Sequence, residues 1–497
     1  MRFCLLPFAV LALSSCGSSA GDGAVAVAVI GTPAGMFEDG VRLAPAAQLM
    51  RAATHEGLVA LDASGQVVPA IAERWIVTDD GLSYIFRLRD STWPDGEEIE
   101  ADDVRDQLRR RIAQLEGTSL GLDLANIRAI RAMTGRVIEV QLGAPMPDFL
   151  RLLAQSELGF TRGGSGAGPM AMSRGDADGE GEGGDGASAR LSALPPETRG
   201  LPARQDWEEV ARPIAVRALP ADKAVAAFAA GEVDLVLGGS IVDFPEATAA
   251  AGPLSRGTIQ VDPALGLLGL TVRREAGLLA DPSRREALSM AIDRPALIQA
   301  FRLGGWRENS WIVPPEAFTA PAYGRDRWNG MSIAERRQIA AGRVAAWAGP
   351  GREAVVRVAL PRGKGSDLLL RQLAEAWATI GVTTRRAAPG EGADLELRDV
   401  LARYVSPVWY LNQFNCRIGA GLCTPAADAL VRQAQATRDP AQREVLLAEA
   451  HAVLVESEVY IPLGVPVRWS LVRGTLGNFQ PNAFAFHPLF PLSQPTT

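Results

Sequence analysis

Lysine is nearly missing from this chain: Lys223 and Lys364 are the only two, although lysine and arginine together number 50 among 497 residues. Covalent chemistry that starts from a lysine amine therefore has little to work with. Histidine is almost as scarce. His55, His451 and His487 stand far apart, none belongs to an HExxH pair, and their neighbours offer no metal-ligand spacing. No GxSxG elbow occurs, and Gly363-Lys364-Gly365 lacks both the hydroxyl and the upstream spacing of a phosphate loop. These absences argue against a hydrolase or a metalloenzyme, and no cofactor or metal is expected. After the first residues no stretch approaches the run of about 18 apolar residues that a spanning helix needs. The formal net charge of −7 leaves no basic footprint for nucleic acid. What remains is a globular chain, 47% hydrophobic and long enough to bury several cores.

The beginning, MRFCLLPFAVLALSSCGSSA, sets Arg2 ahead of a short apolar run and small residues before Cys16, the pattern of an export signal. Leu13-Ser14-Ser15-Cys16 resembles the bacterial lipobox, which implies a signal peptide over 1–15, lipid attachment at Cys16 and a flexible leader over 16–23. An ordinary secretory signal cut near Ala20 is the plainer alternative. With Cys4 discarded and Cys16 acylated, Cys416 and Cys423 remain, and an oxidising compartment favours their pairing across the Gly419-Ala420-Gly421 loop. Two cysteines without a third ligand nearby make a poor zinc site.

Punctuation and periodicity agree best over residues 54–112. Asp79-Asp80-Gly81 separates two strand-like runs and reads as a hairpin turn. In the second run Tyr84, Phe86 and Leu88 share one face, while Ile85, Arg87 and Arg89 share a wetter one. Pro94-Asp95-Gly96 turns the chain into a helix with Asp102 and Asp103 in its first turn and a buried stripe of Val104, Leu108, Ile112 and Leu115. These pieces in this order (Glu56-Gly57-Leu58-Val59, Pro69 to Trp75, Asp80-Gly81, Phe86-Arg87-Leu88-Arg89, Asp95-Gly96 and Ala101-Asp102-Asp103-Val104) resemble the signature of the extracytoplasmic solute-binding proteins of ABC importers. The branch is the one that includes oligopeptide, dipeptide and nickel binders. There the segment marks the fold and is not a ligand site.

The resemblance implies an α/β, two-lobed, periplasmic-binding-protein-like fold with an additional subdomain in the first lobe. Lobe I comprises 24–53, 166–264 and 473–497; the subdomain comprises 54–165; lobe II comprises 265–472. Residues 24–30 read as a strand buried on both faces. Strand, helix and strand follow one another over 214–237 and again over 355–386, so each lobe carries a βαβ core. The Gly-rich, acidic run 173–190 has no periodicity and reads as a flexible insertion in lobe I. Its Gly179-x-Gly181-x-x-Gly184 follows no strand and opens no helix, and Ala187 stands where a calcium loop needs glutamate.

Hinge closure around a solute is that family's mode of action, so ligand candidates lie where the lobes face each other. The run 399–407 resembles the family's ligand-reading segment, with Tyr404 and Pro407 matching. Val400 stands for its tryptophan, Arg403 for the aspartate that meets a peptide's α-ammonium, and Ser406 for a second aspartate. A guanidinium at Arg403 would repel an ammonium and suit a carboxylate or phosphate; alternatively it points to solvent or pairs with Asp399. Trp409, Asn412 and Asn415 either line the cleft or, as for Trp409 and Phe414, belong to the core. Phe37 is a weaker candidate. The expected partners are a small or short-peptide ligand, a permease and an ATPase, and a membrane reached through the lipid anchor alone. A receptor or scaffold without transport, or a nickel-chelate binder, is the alternative.

Overall fold

The computed structural model describes residues 23–175, 187–250, 258–319, 327–388, 390, 392–474 and 476–494. Cys16, the export segment and residues 176–186 of the calcium and dinucleotide candidates lie outside the described residues. The ends of the insertion expected over 173–190 are not irregular, since Met170–Arg174 and Ser188–Ala193 are antiparallel strands of the first sheet.

The strand Val25–Ile30 is the centre of a seven-stranded sheet, and its unbroken apolar sequence follows from having neighbours on both edges and cover on both faces. Ile214–Leu219 and Leu235–Ser240 run parallel to it on either side. The helix Ala221–Ala230 connects those two, so the crossover steps over the central strand instead of joining neighbours. It ends at Gly231, whose φ of 82° is the left-handed cap that glycine takes without strain.

The second sheet has five strands in the order Val382–Ala387, Ala354–Ala359, Leu395–Leu401, Gly266–Val272, Tyr460–Gly464. The helix Lys364–Ala378 links its parallel pair and buries Trp377, whose indole donates to the Leu288 carbonyl at 2.9 Å. Pro462 sits in an edge strand, where the missing N–H interrupts no interior ladder.

A four-stranded antiparallel sheet forms the core of the subdomain, with Tyr84, Phe86 and Leu88 on its buried face beside Val104 and Leu108 of the helix Ala101–Gln114. Its edge strand Ile127–Met133 has no counterpart in the sequence reading. Only Ile130 of that strand is buried, so alternation gives almost no signal. Arg89 departs from the wet face assigned to it. The strand ends at Leu88, the alternation stops with it, and Arg89 turns inward to Glu56 at 2.7 Å.

The chain passes between the large sheets twice, through residues 263–265 and 465–467. The strand Arg468–Val472, which the sequence reading put with lobe II, pairs inside the first sheet with Leu235–Ser240 and Ile259–Asp262. Gly266 opens the second sheet at φ 145°, and a Cβ there would meet the Val400 carbonyl oxygen at 2.1 Å. No larger residue fits that crossing.

Cys416 and Cys423 are joined by a disulfide with Cα atoms 5.2 Å apart. The loop is stitched to the second sheet by the Leu422 amide, which donates to the Val272 carbonyl. Closing so short a ring removes little chain entropy, so Cys423→Ser should cost about 2–3 kcal/mol in chemical denaturation, and reductant should lower the wild type to the same midpoint.

Candidate functional site

A cavity of about 470 Å³ opens between the two sheets, inside the size range of small-molecule sites. Val29 and Leu237 reach it from the first sheet, Ser119, Gln155 and Ser156 from the subdomain, and residues 398–403, Trp409 and Gln413 from the second sheet and the helix after it. Arg468, Phe484 and His487 complete it near the crossings. A second cavity, about 510 Å³, is lined by residues from Thr54 to Arg199 alone. It touches neither crossing nor the second sheet, so lobe movement could not close it, and the cavity between the sheets is the candidate site.

Polar contacts from Arg403 and Asn412 fasten the subdomain to the far side of the cleft. Arg403 Nη2 meets Glu157 Oε1 at 2.9 Å and its Nη1 donates to Ser119 Oγ at 3.2 Å. Glu157 follows the short helix Phe149–Leu153 and is 4% exposed, so the pair is fully withdrawn on the acid's side. Asn412 Nδ2 donates to Asp123 Oδ1 at 2.7 Å within a wholly buried contact. Burial pushes the Asp123 carboxyl up to about 7, while Asn412, Arg403 and Tyr404 pull the other way. The Tyr404 hydroxyl and Asp123 Oδ2 are neighbours that make no well-formed hydrogen bond.

At the crossings, Arg468 Nη1 reaches both Asp399 oxygens, at 2.8 and 3.0 Å, tying the start of a first-sheet strand to the second sheet. Asp262, buried at the end of Ile259–Asp262, accepts from the Asn482 amide at 2.9 Å and contacts His487 Nε2 at 3.1 Å.

Of the six ligand candidates read from sequence, Arg403 and Trp409 line the cavity. Neither solvent nor Asp399 holds Arg403, because Glu157 does and Asp399 has Arg468. Trp409 is 1% exposed and combines both readings, packed edge-on against Tyr410 while bordering the cavity with an unpartnered indole N–H. Tyr404 and Asn412 are buried against Asp123, Asn415 holds the turn at Arg417, and Phe37 lies under Arg174, all away from the cavity. Sequence reasoning passed over Arg398, Gln413 and Glu157. Arg398 had a signal, since Leu395 and Leu397 alternate with Glu396 and Arg398 in a strand leading straight into the ligand-reading segment. Glu157 had none, being 246 residues from its partner. Among the described residues no group of three histidine, cysteine or acidic side chains could hold a metal ion, and no helix is long and apolar enough to cross a membrane.

Residues 66–179 and 212–385, together more than half of the chain, match the middle region of the bacterial extracellular solute-binding proteins, family 5. The chain belongs to this family. A relative, the probable di/tripeptide-binding protein 5 of Pseudomonas aeruginosa, is 25% identical over 486 residues, covering 86% of this chain and 87% of its own. The fold of this family 5 protein is also that of Haemophilus influenzae OppA, solved in complex with RPPGFSPFR: TM-score 0.78, 16% identity, 95% of this chain and 98% of the other. The Escherichia coli murein tripeptide binding protein MppA superposes with TM-score 0.77 at 18% identity, covering 96% of this chain and 99% of its own. The two-lobed α/β architecture expected from the family signature is therefore the architecture of the chain, and the cavity of this family 5 protein sits between its lobes.

Proposed function

We propose that this chain is the substrate-binding subunit of a peptide-class ABC importer, tethered outside the cell membrane through a lipid on Cys16. It captures a small solute in the cavity between the sheets, performs no chemistry on it, and hands it to a permease. The observation that carries this reading is a cavity whose two walls belong to separate sheets, between which the chain crosses twice. A solute touching both walls stabilises the shut arrangement over the open one, which lets a transporter tell loaded from empty by shape. The peptide class is supported by the di/tripeptide-binding relative and the peptide complex named above.

The test is native mass spectrometry of the protein taken from its own cell envelope, followed by the melting temperature with and without what it carries. A retained solute that raises the melting temperature supports the proposal, because a ligand selective for the folded state must stabilise it. A protein that carries nothing and responds to no peptide would instead be a scaffold.

A further inference from the structure

The charges around the cavity do not balance, and the excess sits on one residue. Three arginines line it. Arg403 holds Glu157 at 2.9 Å and Arg468 holds Asp399 at 2.8 Å. Arg398 forms no ion pair among the described residues. The adjoining Asp399 is held by Arg468, and Glu396, two residues back, is taken by Arg273 at 3.2 Å. Burial holds the Arg398 guanidinium below its usual range and Arg273 acts in the same direction, while Tyr460 and Glu396 offset this only in part, so its charge is desolvated without an ion-pair partner.

The hydrogen-bond inventory points the same way. Arg398 Nη2 donates to Gln413 Oε1 at 2.8 Å, and Gln413 Nε2 donates to the Trp409 carbonyl at 3.2 Å, which fixes the guanidinium plane against the helix Pro407–Asn412. On the wall made by the second sheet, two donors lack acceptors: Arg398 Nε and Trp409 Nε1 are both buried and unpartnered, while across the cavity the His487 Nδ1 is also unpartnered. Among the described residues no unpaired carboxylate faces the cavity to meet a cation. Asp399 is the one acid among the described residues that lines the cavity, and Glu157 and Asp262 behind it already face Arg403 and His487.

We infer that the cavity takes its solute by a carboxylate seated on Arg398 and the Trp409 indole N–H, and that the solute is a net anion with no free ammonium, such as an N-acylated peptide. A carboxylate would supply the acceptor that two buried donors lack and the charge that Arg398 lacks. An ammonium would enter without a counter-charge, which the low-dielectric walls penalise. The inference rests on the reading of this cavity as the solute site.

The experiment uses the full mature chain, freed of carried solute by unfolding and refolding with its disulfide intact. It is offered one dipeptide library in three forms: free amine with free acid, N-acetylated with free acid, and N-acetylated with C-terminal amide. Native mass spectrometry reads which form is retained, and calorimetry on the best sequence gives Kd. The N-acetylated acids should be retained with Kd at least about tenfold below the other two forms, and Arg398→Gln should weaken them about a hundredfold while Arg398→Lys recovers part of the loss. Equal retention of free-amine peptides, or of the amides, overturns the inference and leaves the solute-binding function standing. Undiminished binding by Arg398→Gln also overturns it. If no form is retained, the peptide-class reading falls as well. Should the Arg398 variants fail to fold, the comparison of the three forms on the wild type still decides.

Discussion

Replacing Glu56 with glutamine should lower the unfolding free energy by about 3–5 kcal/mol, among the largest losses any single surface-sparing substitution in this chain can produce. Glu56 is 5% exposed and is the single carboxylate between two guanidiniums. Arg89 meets it at 2.7 Å and Arg199 bonds its other oxygen, and both arginines are themselves largely buried. Burial already drives the Arg89 pKa down, and Arg199 adds to that; Glu56 is what opposes them. Removing the acid leaves two desolvated like charges side by side. The exposed pair Arg87 and Glu73, 3.0 Å apart on the wet face of the same hairpin, is the control: Glu73→Gln should cost less than about 1 kcal/mol. Urea denaturation of both variants checks the contrast, and equal losses would show that burial of the triad is not what matters. Since Arg199 comes from the first lobe and Arg89 from the subdomain, a loss confined to one of two unfolding transitions would show which half the triad supports.

Asp123→Asn should change how stability depends on pH. With the folded-state pKa pushed up to about 7, the folded protein binds a proton that the unfolded chain, at about 3.9, releases. Stability from this group is therefore fully present below about pH 4 and is lost as pH rises through 7, a cost on the order of 4 kcal/mol above that point. Asparagine keeps an oxygen for Asn412 and carries no charge to desolvate. The variant should match the wild type near pH 4 and exceed it near pH 8 by a few kcal/mol. His55 and His451, held down near 4 by burial, act in the opposite sense at low pH, so the difference between the two proteins, and not either curve alone, is the measurement. Parallel pH curves would mean that Asp123 stays ionised in the folded protein.

How much of this was readable in advance depended on the range of each interaction. Strands such as Val25–Ile30 and Ile214–Leu219, and the helix Lys364–Ala378, announce themselves because burial on one face or on both leaves a local pattern in the residues. Ile127–Met133 hid because half its positions face water beside arginines, leaving one buried side chain to mark it. The cleft was harder. Arg403 could be singled out from the family signature, yet its partner could not, because a bond between residues 403 and 157 leaves no trace in either segment. Arg89 shows the complementary failure: alternation is a rule for strands, and one residue beyond the strand's end it assigned the wrong face.

The bridge from Arg403 to Glu157 makes the protein a competitor of its own cargo. A contact made across the cleft favours the shut arrangement over the open one, and a solute enters only through the share that stands ajar. Loosening the bolt would thus quicken and strengthen capture by enlarging that share.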